Sequence, residues 1–258
     1  MKKQIVKRND LSFYDYSAKK WRQKDSKIYA LYYLNPLRFK YFDLHIADWQ
    51  EMKVLDVGCG GGFTCEFLAA RNAQVFGIDQ SLECIKVAIK HAASSRLNIN
   101  YQQSFSESLP YPNNFFDTVI CVDVLEHVVD LKQTITEIHR VLKPGGLFCF
   151  DTINRSLKSY LIMIWLLEEI LKKIPQGIHD WKKFIKPKEL IDIMQNAGFA
   201  NIEIKGFNLF GSTIWDYFAA YSYYEKTGSF NVSINNDTSV MFVGKAEKVG
   251  KEEWRERS

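Results

Sequence analysis

A glycine-rich turn between two short apolar segments constrains the fold of this chain more than any other feature. The run VLDV at residues 54–57 is typical of a buried strand, and GCGGG at residues 58–62 ends it. A helical pattern follows, and a second short strand ends at Asp79. Glycines let a ligand approach the backbone, the helix start offers free N–H groups, and the acid can hold a ribose diol. This pattern predicts a nucleoside-binding site, with candidate contacts at Asp56, Gly58, Gly60 and Asp79.

The spacing of the glycines argues against a dinucleotide as the ligand. A dinucleotide fingerprint, G-x-G-x-x-G, requires a third glycine where this chain has Phe63. The segment VLDVGCGGG resembles the first motif of the class I S-adenosylmethionine-dependent methyltransferases instead. That resemblance implies S-adenosylmethionine as the cofactor.

Apolar strand patterns alternate with helical patterns along most of the chain. Strands are expected at residues 54–57, 74–78, 99–103, 116–122, 147–151, 201–207 and 238–247. Helices of 10–15 residues lie between several of them, and Ser81 is expected to cap one. The alternation predicts an α/β fold with a doubly wound, mostly parallel, seven-stranded sheet. Ligands of such sheets bind at the carboxyl ends of the strands, where Asp79 and the 123–127 loop are expected.

The chain divides into three predicted parts. Residues 1–50 form an N-terminal helical cap, residues 51–247 form the methyltransferase domain with a helical lid at about 155–187, and residues 248–258 form a frayed tail. Within the cap, Asn35-Pro36 is a typical helix start. Aromatic residues there either dock on the core or close over the cofactor.

Composition limits the class of protein. Apolar residues make up 47% and charged residues 25% of the 258 residues, so a sizeable core is available. The net charge of +4 does not by itself require nucleic acid. Five cysteines without CxxC spacing indicate free thiols in a reducing compartment. With no signal-like start and no apolar run of about 20 residues, we expect a cytoplasmic protein.

Residues 156–187 change the pattern. An apolar run at 160–167, which contains Trp165, is followed by five lysines, and Trp181 lies between them. This composition fits a helix at an anionic membrane interface, and it fits equally a lid packed wholly on the protein. A second aromatic segment, at 215–224, either lines an apolar pocket or fills core.

Several further stretches resemble the ubiquinone-biosynthesis O-methyltransferases. They include LNPLR at 34–38, LEHV at 125–128, LKPGG at 142–146 and IPQGIHDWKKFIKP at 174–187. LKPGG is common to many methyltransferases, whereas the NPLR stretch and the 174–187 stretch are more specific to this family. The resemblance implies a phenolic or catechol hydroxyl of a prenylated quinone precursor as the methyl acceptor.

The resemblance also assigns individual cofactor residues. It places them at Arg38, Gly58, Asp79 and Val122. From the residues alone, Arg38 is as consistent with a surface charge as with a contact to the cofactor carboxylate, and the resemblance favours the contact. At Phe105, related methyltransferases often have an acid for the adenine amino group. Adenine is therefore expected to rest on backbone and stacking here.

Family members that resemble metal-assisted enzymes carry an E-x-x-E-H group after the fourth strand. This chain has Asp123, Glu126 and His127 there. The resemblance implies that they hold a Mg²⁺ ion, which would bind two neighbouring phenolic oxygens of the substrate. The alternative is that these residues begin a helix and contact the cofactor only.

Methyl transfer to a phenol needs alignment, exclusion of water and removal of a proton. His127 and His179 are the candidate bases. Other possibilities are a methyltransferase of another small aromatic molecule and a non-catalytic cofactor-binding protein. A nucleic-acid methyltransferase is disfavoured, because VDVL stands where an N/D-P-P-Y/F loop is expected. The sequence predicts no oligomeric state.

Overall fold

The fold is built on one eight-stranded sheet. The computed structural model describes residues 7–209 and 232–250, together with residues 216, 219, 222, 223, 226 and 227. The strand order is β3-β2-β1-β4-β5-β8-β6-β7. The strands are β1 (Lys53–Val57), β2 (Gln74–Asp79), β3 (Ile99–Gln103), β4 (Phe116–Cys121), β5 (Leu142–Ile153), β6 (Phe199–Asn208), β7 (Ser233–Asn235) and β8 (Met241–Lys248).

The first five strands are mutually parallel, which confirms the predicted doubly wound, mostly parallel sheet. Strand β8 inserts between β5 and β6 and runs antiparallel to both. The predicted number of strands was one too low, because β7 is a three-residue strand that pairs antiparallel with the end of β6. Its sequence SIN has a single apolar residue, Ile234, between two polar ones, which is too short a pattern to indicate a strand.

Helices cover both faces of the sheet. They are α1 (Ser12–Ser17), α2 (Ala30–Phe42), α3 (Phe63–Ala69), α4 (Leu82–Ser94), α5 (Leu131–Val141), α6 (Leu157–Ser159) and α7 (Pro187–Ala197). One buried cluster joins α2, α3 and α4 to the sheet, and a second joins α5 and α7 to the opposite face. Alternating strand residues serve the two clusters, for example Val54 and Leu55 of β1.

Two local predictions about helix starts had different outcomes. The Ser81 side chain accepts a hydrogen bond from the Cys84 N–H at 3.1 Å, which confirms it as the cap of α4. The predicted helix start at Asn35-Pro36 was wrong, because α2 already begins at Ala30 after a 3₁₀ turn, Lys27–Tyr29. Pro36 therefore lies inside the helix, where burial of neighbouring Leu34 and Leu37 stabilises a conformation that proline disfavours.

The lid segment is helical. The short helix α6 continues into a π-helix, Tyr160–Ile170, whose wider turns are rare in proteins and frequent at functional sites. Within the residues that the structure describes, every helix falls short of the length and apolar content needed to cross a bilayer. Most of the predicted aromatic segment at 215–224, and the tail from residue 251, lie outside the described residues.

Candidate functional site

A cavity of about 1060 Å³ opens where the carboxyl ends of β1, β2 and β4 meet the N-terminal segment and the lid. Its wall includes every candidate cofactor, metal and catalytic residue proposed from the sequence except Asp56. They are Arg38, Gly58, Gly60, Asp79, Val122, Asp123, Glu126, His127 and His179. The fold thus gathers in one place residues that are spread over about 140 positions of the sequence, as expected for the switch region of an open parallel sheet.

The glycine loop requires glycine at two positions, in each case because of backbone conformation and of close packing. Gly58 has φ +76° and Gly60 has φ +51°, both in the left-handed region that side chains disfavour. A Cβ at Gly58 would overlap the Val124 side chain, and one at Gly60 would overlap the ring of Trp21. The loop is therefore packed so closely that only bare backbone fits between β1 and its neighbours.

Asp79 ties this loop to the end of β2. One carboxylate oxygen accepts the Gly60 N–H at 2.9 Å, and the other accepts the Ser81 N–H at 2.8 Å. Burial raises the pKa of Asp79 above its usual range, while these two hydrogen bonds act in the opposite direction. Each oxygen keeps a further lone pair, so the carboxylate can still accept hydrogen bonds from the hydroxyl groups of a ligand in the cavity.

Asp56 lies apart from the cavity wall. It is 1% exposed in the middle of the sheet, and the Cys65 thiol lies 3.3 Å from its Oδ2. Burial raises the pKa of Asp56 to about 7. The structure therefore places this carboxyl behind the glycine loop, and its predicted contact with the cofactor has no geometric support.

Arg38 is buried between two carboxylates. Its Nη2 pairs with Asp123 and its Nε pairs with Asp151, and Arg38 is only 2% exposed. Two carboxylates hold the pKa of the guanidinium above its usual range against the effect of burial. The residues alone left open whether Arg38 is a solvated surface charge, and its burial shows that this interpretation is wrong. A buried guanidinium needs charged partners, which the two carboxylates supply.

The predicted metal group is not assembled. Asp123 pairs with Arg38, Glu126 accepts a hydrogen bond from the Thr152 hydroxyl at 2.7 Å, and His127 bonds Asn9. Burial, followed by the nearby Asp123, raises the pKa of Glu126 to about 8, so its neutral form predominates near pH 7. Among the described residues, no three acidic, histidine or cysteine side chains are arranged to hold a metal ion. Mg²⁺ needs several oxygen ligands that converge on one point, and these side chains bond separate partners instead, so their arrangement does not fit it.

The two candidate bases lie side by side. The rings of His127 and His179 are stacked with their centroids 5.4 Å apart and their planes inclined by 17°. Burial, His179 and Lys183 together hold the pKa of His127 well below its usual range, so this imidazole is neutral. A neutral imidazole has the free lone pair that a proton acceptor requires.

His179 has an acidic neighbour on the lid. Its Nδ1 lies 3.4 Å from Glu168 Oε2, and Glu168 is fully buried. The other oxygen of Glu168 pairs with Arg8 at 2.5 Å and accepts the Gly177 N–H at 2.6 Å. The sequence offered one overlooked signal for this group, the adjacent glutamates Glu168 and Glu169 at the end of an apolar run.

The N-terminal segment contributes Asn9, which the sequence did not mark, and two of its aromatic residues. Asn9 bonds His127, and Tyr14 and Trp21 line the cavity, so this part of the aromatic segment lies over the glycine loop. Phe39 and Phe42 instead fill the core. Both interpretations of the N-terminal aromatics therefore hold, each for different residues. Phe105 also lines the cavity and is 59% exposed.

Comparison with known proteins identifies the class of this site. Residues 55–150 match the model of a methyltransferase domain. The structure resembles a solved methyltransferase from Thermotoga maritima, described as S-adenosylmethionine-dependent and a possible histamine N-methyltransferase. The TM-score is 0.62 at 17% identity, over 92% of this chain and 97% of that one. At that identity the likeness establishes the fold alone.

Sequence relatives are closer. The ubiquinone biosynthesis O-methyltransferase of Saccharophagus degradans is 40% identical over 199 residues, covering 76% of this chain and 84% of the relative. That of Haemophilus ducreyi is 38% identical, covering 79% and 88%. The fold and these relatives identify S-adenosylmethionine as the cofactor. The chain belongs to the family of the ubiquinone biosynthesis O-methyltransferases.

Proposed function

We propose that this enzyme transfers the methyl group of S-adenosylmethionine to a phenolic hydroxyl of a prenylated quinone precursor. The observation that carries the proposal is the shared cavity, whose wall contains the stacked imidazoles of His127 and His179 as well as the glycine loop and Asp79. The names of the relatives support a small quinone precursor as the substrate class.

Residues on three elements are suited to hold the cofactor. The backbone at Gly58 and Gly60 allows close approach, and Asp79 can accept the ribose hydroxyls. Arg38 keeps N–H donors beyond those that Asp123 and Asp151 use, and these can bind the carboxylate of the cofactor. When bound, S-adenosylmethionine supplies an electrophilic methyl group on a sulfonium.

The chain itself must orient the phenol, accept its proton and exclude water. His127 and His179 line the cavity and are the candidate proton acceptors. The lid and the N-terminal segment supply the remaining wall of the cavity, away from the sheet. Removal of the proton makes the phenolic oxygen a better nucleophile toward the methyl group.

The lid side of the cavity is mostly apolar and suits a prenyl chain, although Lys172 and Lys173 also line it. Met163 and Leu167 of the π-helix line it, together with Leu171, Ile174 and Ile178 further along the lid. Burial of apolar surface gains about 25 cal/mol per Å², so several prenyl carbons in this region would add substantially to affinity. A small hydrophilic phenol would leave these side chains without a partner.

The same helix presents apolar side chains outward. Leu157, Leu161, Trp165 and Ile170 are between 47% and 71% exposed and recur every four or five residues, which places them on one face of the wide helix. Lys172, Lys173, Lys182 and Lys186 of the lid are exposed as well. We propose a cytoplasmic enzyme whose lid rests peripherally on an anionic membrane surface, from which it takes its substrate.

Transfer of a radiolabelled methyl group to a panel of phenols tests the function. The panel contains prenylated catechols, the same catechols without the prenyl chain, and single phenols. We expect the prenylated catechols to have the highest kcat/KM, and substitution of His127 by Gln to lower kcat by about 100-fold or more. Equal rates with plain catechols would indicate another small aromatic substrate, and no transfer to any phenol would contradict the proposal.

A further inference from the structure

Residues 8–10 of the N-terminal segment bridge the lid and the loop that carries His127. Arg8 pairs with Glu168 and Glu169 on the π-helix. The Asp10 N–H donates to the Gly177 carbonyl at 3.1 Å. These contacts on either side fix the position of Asn9, which lies between them in the sequence.

Asn9 makes two hydrogen bonds to the same histidine. Its amide Nδ2 donates to the His127 backbone carbonyl at 3.2 Å, and its Oδ1 lies 2.8 Å from His127 Nδ1. The carbonyl can only accept, so it determines which end of the amide carries the hydrogens. With the amide in that orientation, Oδ1 is an acceptor, and the proton of the 2.8 Å bond must be on Nδ1.

The orientation of one amide therefore determines the tautomer of the imidazole. A neutral imidazole carries one proton, so a proton on Nδ1 leaves the lone pair on Nε2. Among the described residues, no hydrogen-bond partner engages Nε2, and His127 lines the cavity. The ring is thus presented to the cavity side of the molecule as an acceptor.

We propose that Asn9 is a positioning residue for methyl transfer, holding His127 as the Nδ1–H tautomer so that Nε2 accepts the proton of the phenol. The inference rests on the proposed function. In the step, the phenolic O–H bond breaks and its proton moves to Nε2. The phenolic oxygen then forms its bond to the methyl carbon as the carbon–sulfur bond breaks, and that electron pair remains on sulfur as a neutral thioether. Asn9 touches neither reacting atom.

The backbone at Asn9 offers a clean pair of variants. Asn9 has φ +53°, a conformation that Asn, Asp and Gly adopt more readily than other residues. Asn9→Gly removes both side-chain hydrogen bonds without straining the backbone. Asn9→Asp keeps an acceptor for the Nδ1 proton, removes the donor to the carbonyl and adds a negative charge beside the ring. Alanine is less suitable, because it would add backbone strain to the loss of the amide.

The test combines ¹⁵N spectroscopy of the imidazoles with kinetics on the full chain loaded with S-adenosylmethionine. The chain has five histidines, so the ring signals can be assigned by substituting them singly. We expect wild-type His127 to show a protonated Nδ1 and an unprotonated Nε2. In Asn9→Gly the Nδ1–H tautomer should lose its dominance, and kcat should fall by about 10-fold or more with KM for the cofactor unchanged. Asn9→Asp should keep the tautomer and most of the turnover.

A protonated Nε2 in the wild type would overturn the inference, and so would an Asn9→Gly protein with unchanged tautomer and kcat. The spectroscopic readout needs no methyl acceptor, so it separates this inference from the proposed function. If the tautomer responds to Asn9 as expected but no phenol is methylated, the proposed function fails while the role of Asn9 in holding the ring stands. A merely structural role for Asn9 would change stability without changing the tautomer.

Discussion

At the scale of single residues, burial changes the chemistry of the acidic groups around the cavity. Asp56 and Asp151 have pKa values raised to about 7, and that of Glu126 is raised to about 8, in each case chiefly by burial. Asp79 has a raised pKa for the same reason. These carboxyls lie near the carboxyl ends of the parallel strands but have different partners, so their roles follow from the partners and not from residue type.

Asp79 gives the most direct test of the cofactor site. We expect Asp79→Ala to weaken S-adenosylmethionine binding by about 10- to 100-fold, since hydrogen bonds to a charged group contribute about 1.5–3 kcal/mol. Titration calorimetry measures the affinity, and Asp79→Asn is the intermediate variant, which keeps one acceptor oxygen but replaces the other with an NH₂ donor. Unchanged affinity in the alanine variant would remove Asp79 from the site. The Gly60 N–H also loses its acceptor, so thermal stability is measured alongside.

Asp56 gives a pH prediction. Its folded pKa of about 7 lies above the ordinary value of 3.8, so the folded chain retains a proton that the unfolded chain releases. Stability from this group is therefore greatest at low pH and falls as pH rises from about 4 to about 8. Asp56→Asn should abolish that decline, gaining roughly 2–4 kcal/mol over wild type at pH 8 compared with pH 4.

Denaturant unfolding at several pH values measures this difference. Asp151 and Glu126 remain in both proteins, so their own pH dependence cancels in the comparison. The matched control is Asp48→Asn, which removes the same charge from an exposed position. Parallel stability curves for wild type and Asp56→Asn would show that Asp56 is ionised in the folded protein.

At the scale of elements, the lid helix has two apolar faces with different environments. Met163 and Leu167 line the cavity, whereas Leu161 and Trp165 are about half exposed. Packing against the protein and contact with a membrane were alternatives for the whole segment in the sequence. In the structure the cavity face is packed against the protein. Membrane contact remains a proposal, and it concerns the outward face only.

Liposome flotation tests that outward face. We expect the protein to float with anionic vesicles, less so at high salt, and the Leu161→Ser/Trp165→Ser double variant to lose most of the binding. Ile164 is 2% exposed, so it is unsuitable as a test position, because its replacement would disrupt packing instead. Lys188→Ala, at an exposed lysine outside the lid, is the control for general charge loss. Wild type that floats with neither neutral nor anionic vesicles would leave the lid as a packed element only.

At the scale of the whole molecule, the cavity joins parts of the chain that are distant in sequence. Arg38 meets Asp151 across 113 positions, and Asn9 meets His127 across 118. The sheet supplies the cofactor loop, the N-terminal segment covers it, and the lid closes the side opposite to the sheet. A substitution in the N-terminal segment can therefore affect the reactivity of His127, which lies in the loop that follows β4.

The cofactor loop and the fold class were predictable because their determinants are local. Gly58, Gly60 and Asp79 lie within one strand–turn–helix–strand unit, and the alternation of strand and helix patterns follows from backbone geometry and burial. Prediction failed for the metal group, because spacing alone cannot show that Asp123 is paired with Arg38 and that Glu126 favours its neutral form. The place of Asp56 behind the cavity wall was not predictable, because strand position does not reveal which side chain reaches the cavity.

Long-range contacts determine the rest. The pairing of Arg38, the two-histidine stack and the tautomer of His127 all depend on partners more than 25 positions away in the chain. A sequence pattern records which donors and acceptors exist. Folding determines which of them are desolvated together, and in a medium of low dielectric that choice decides charge, tautomer and reactivity.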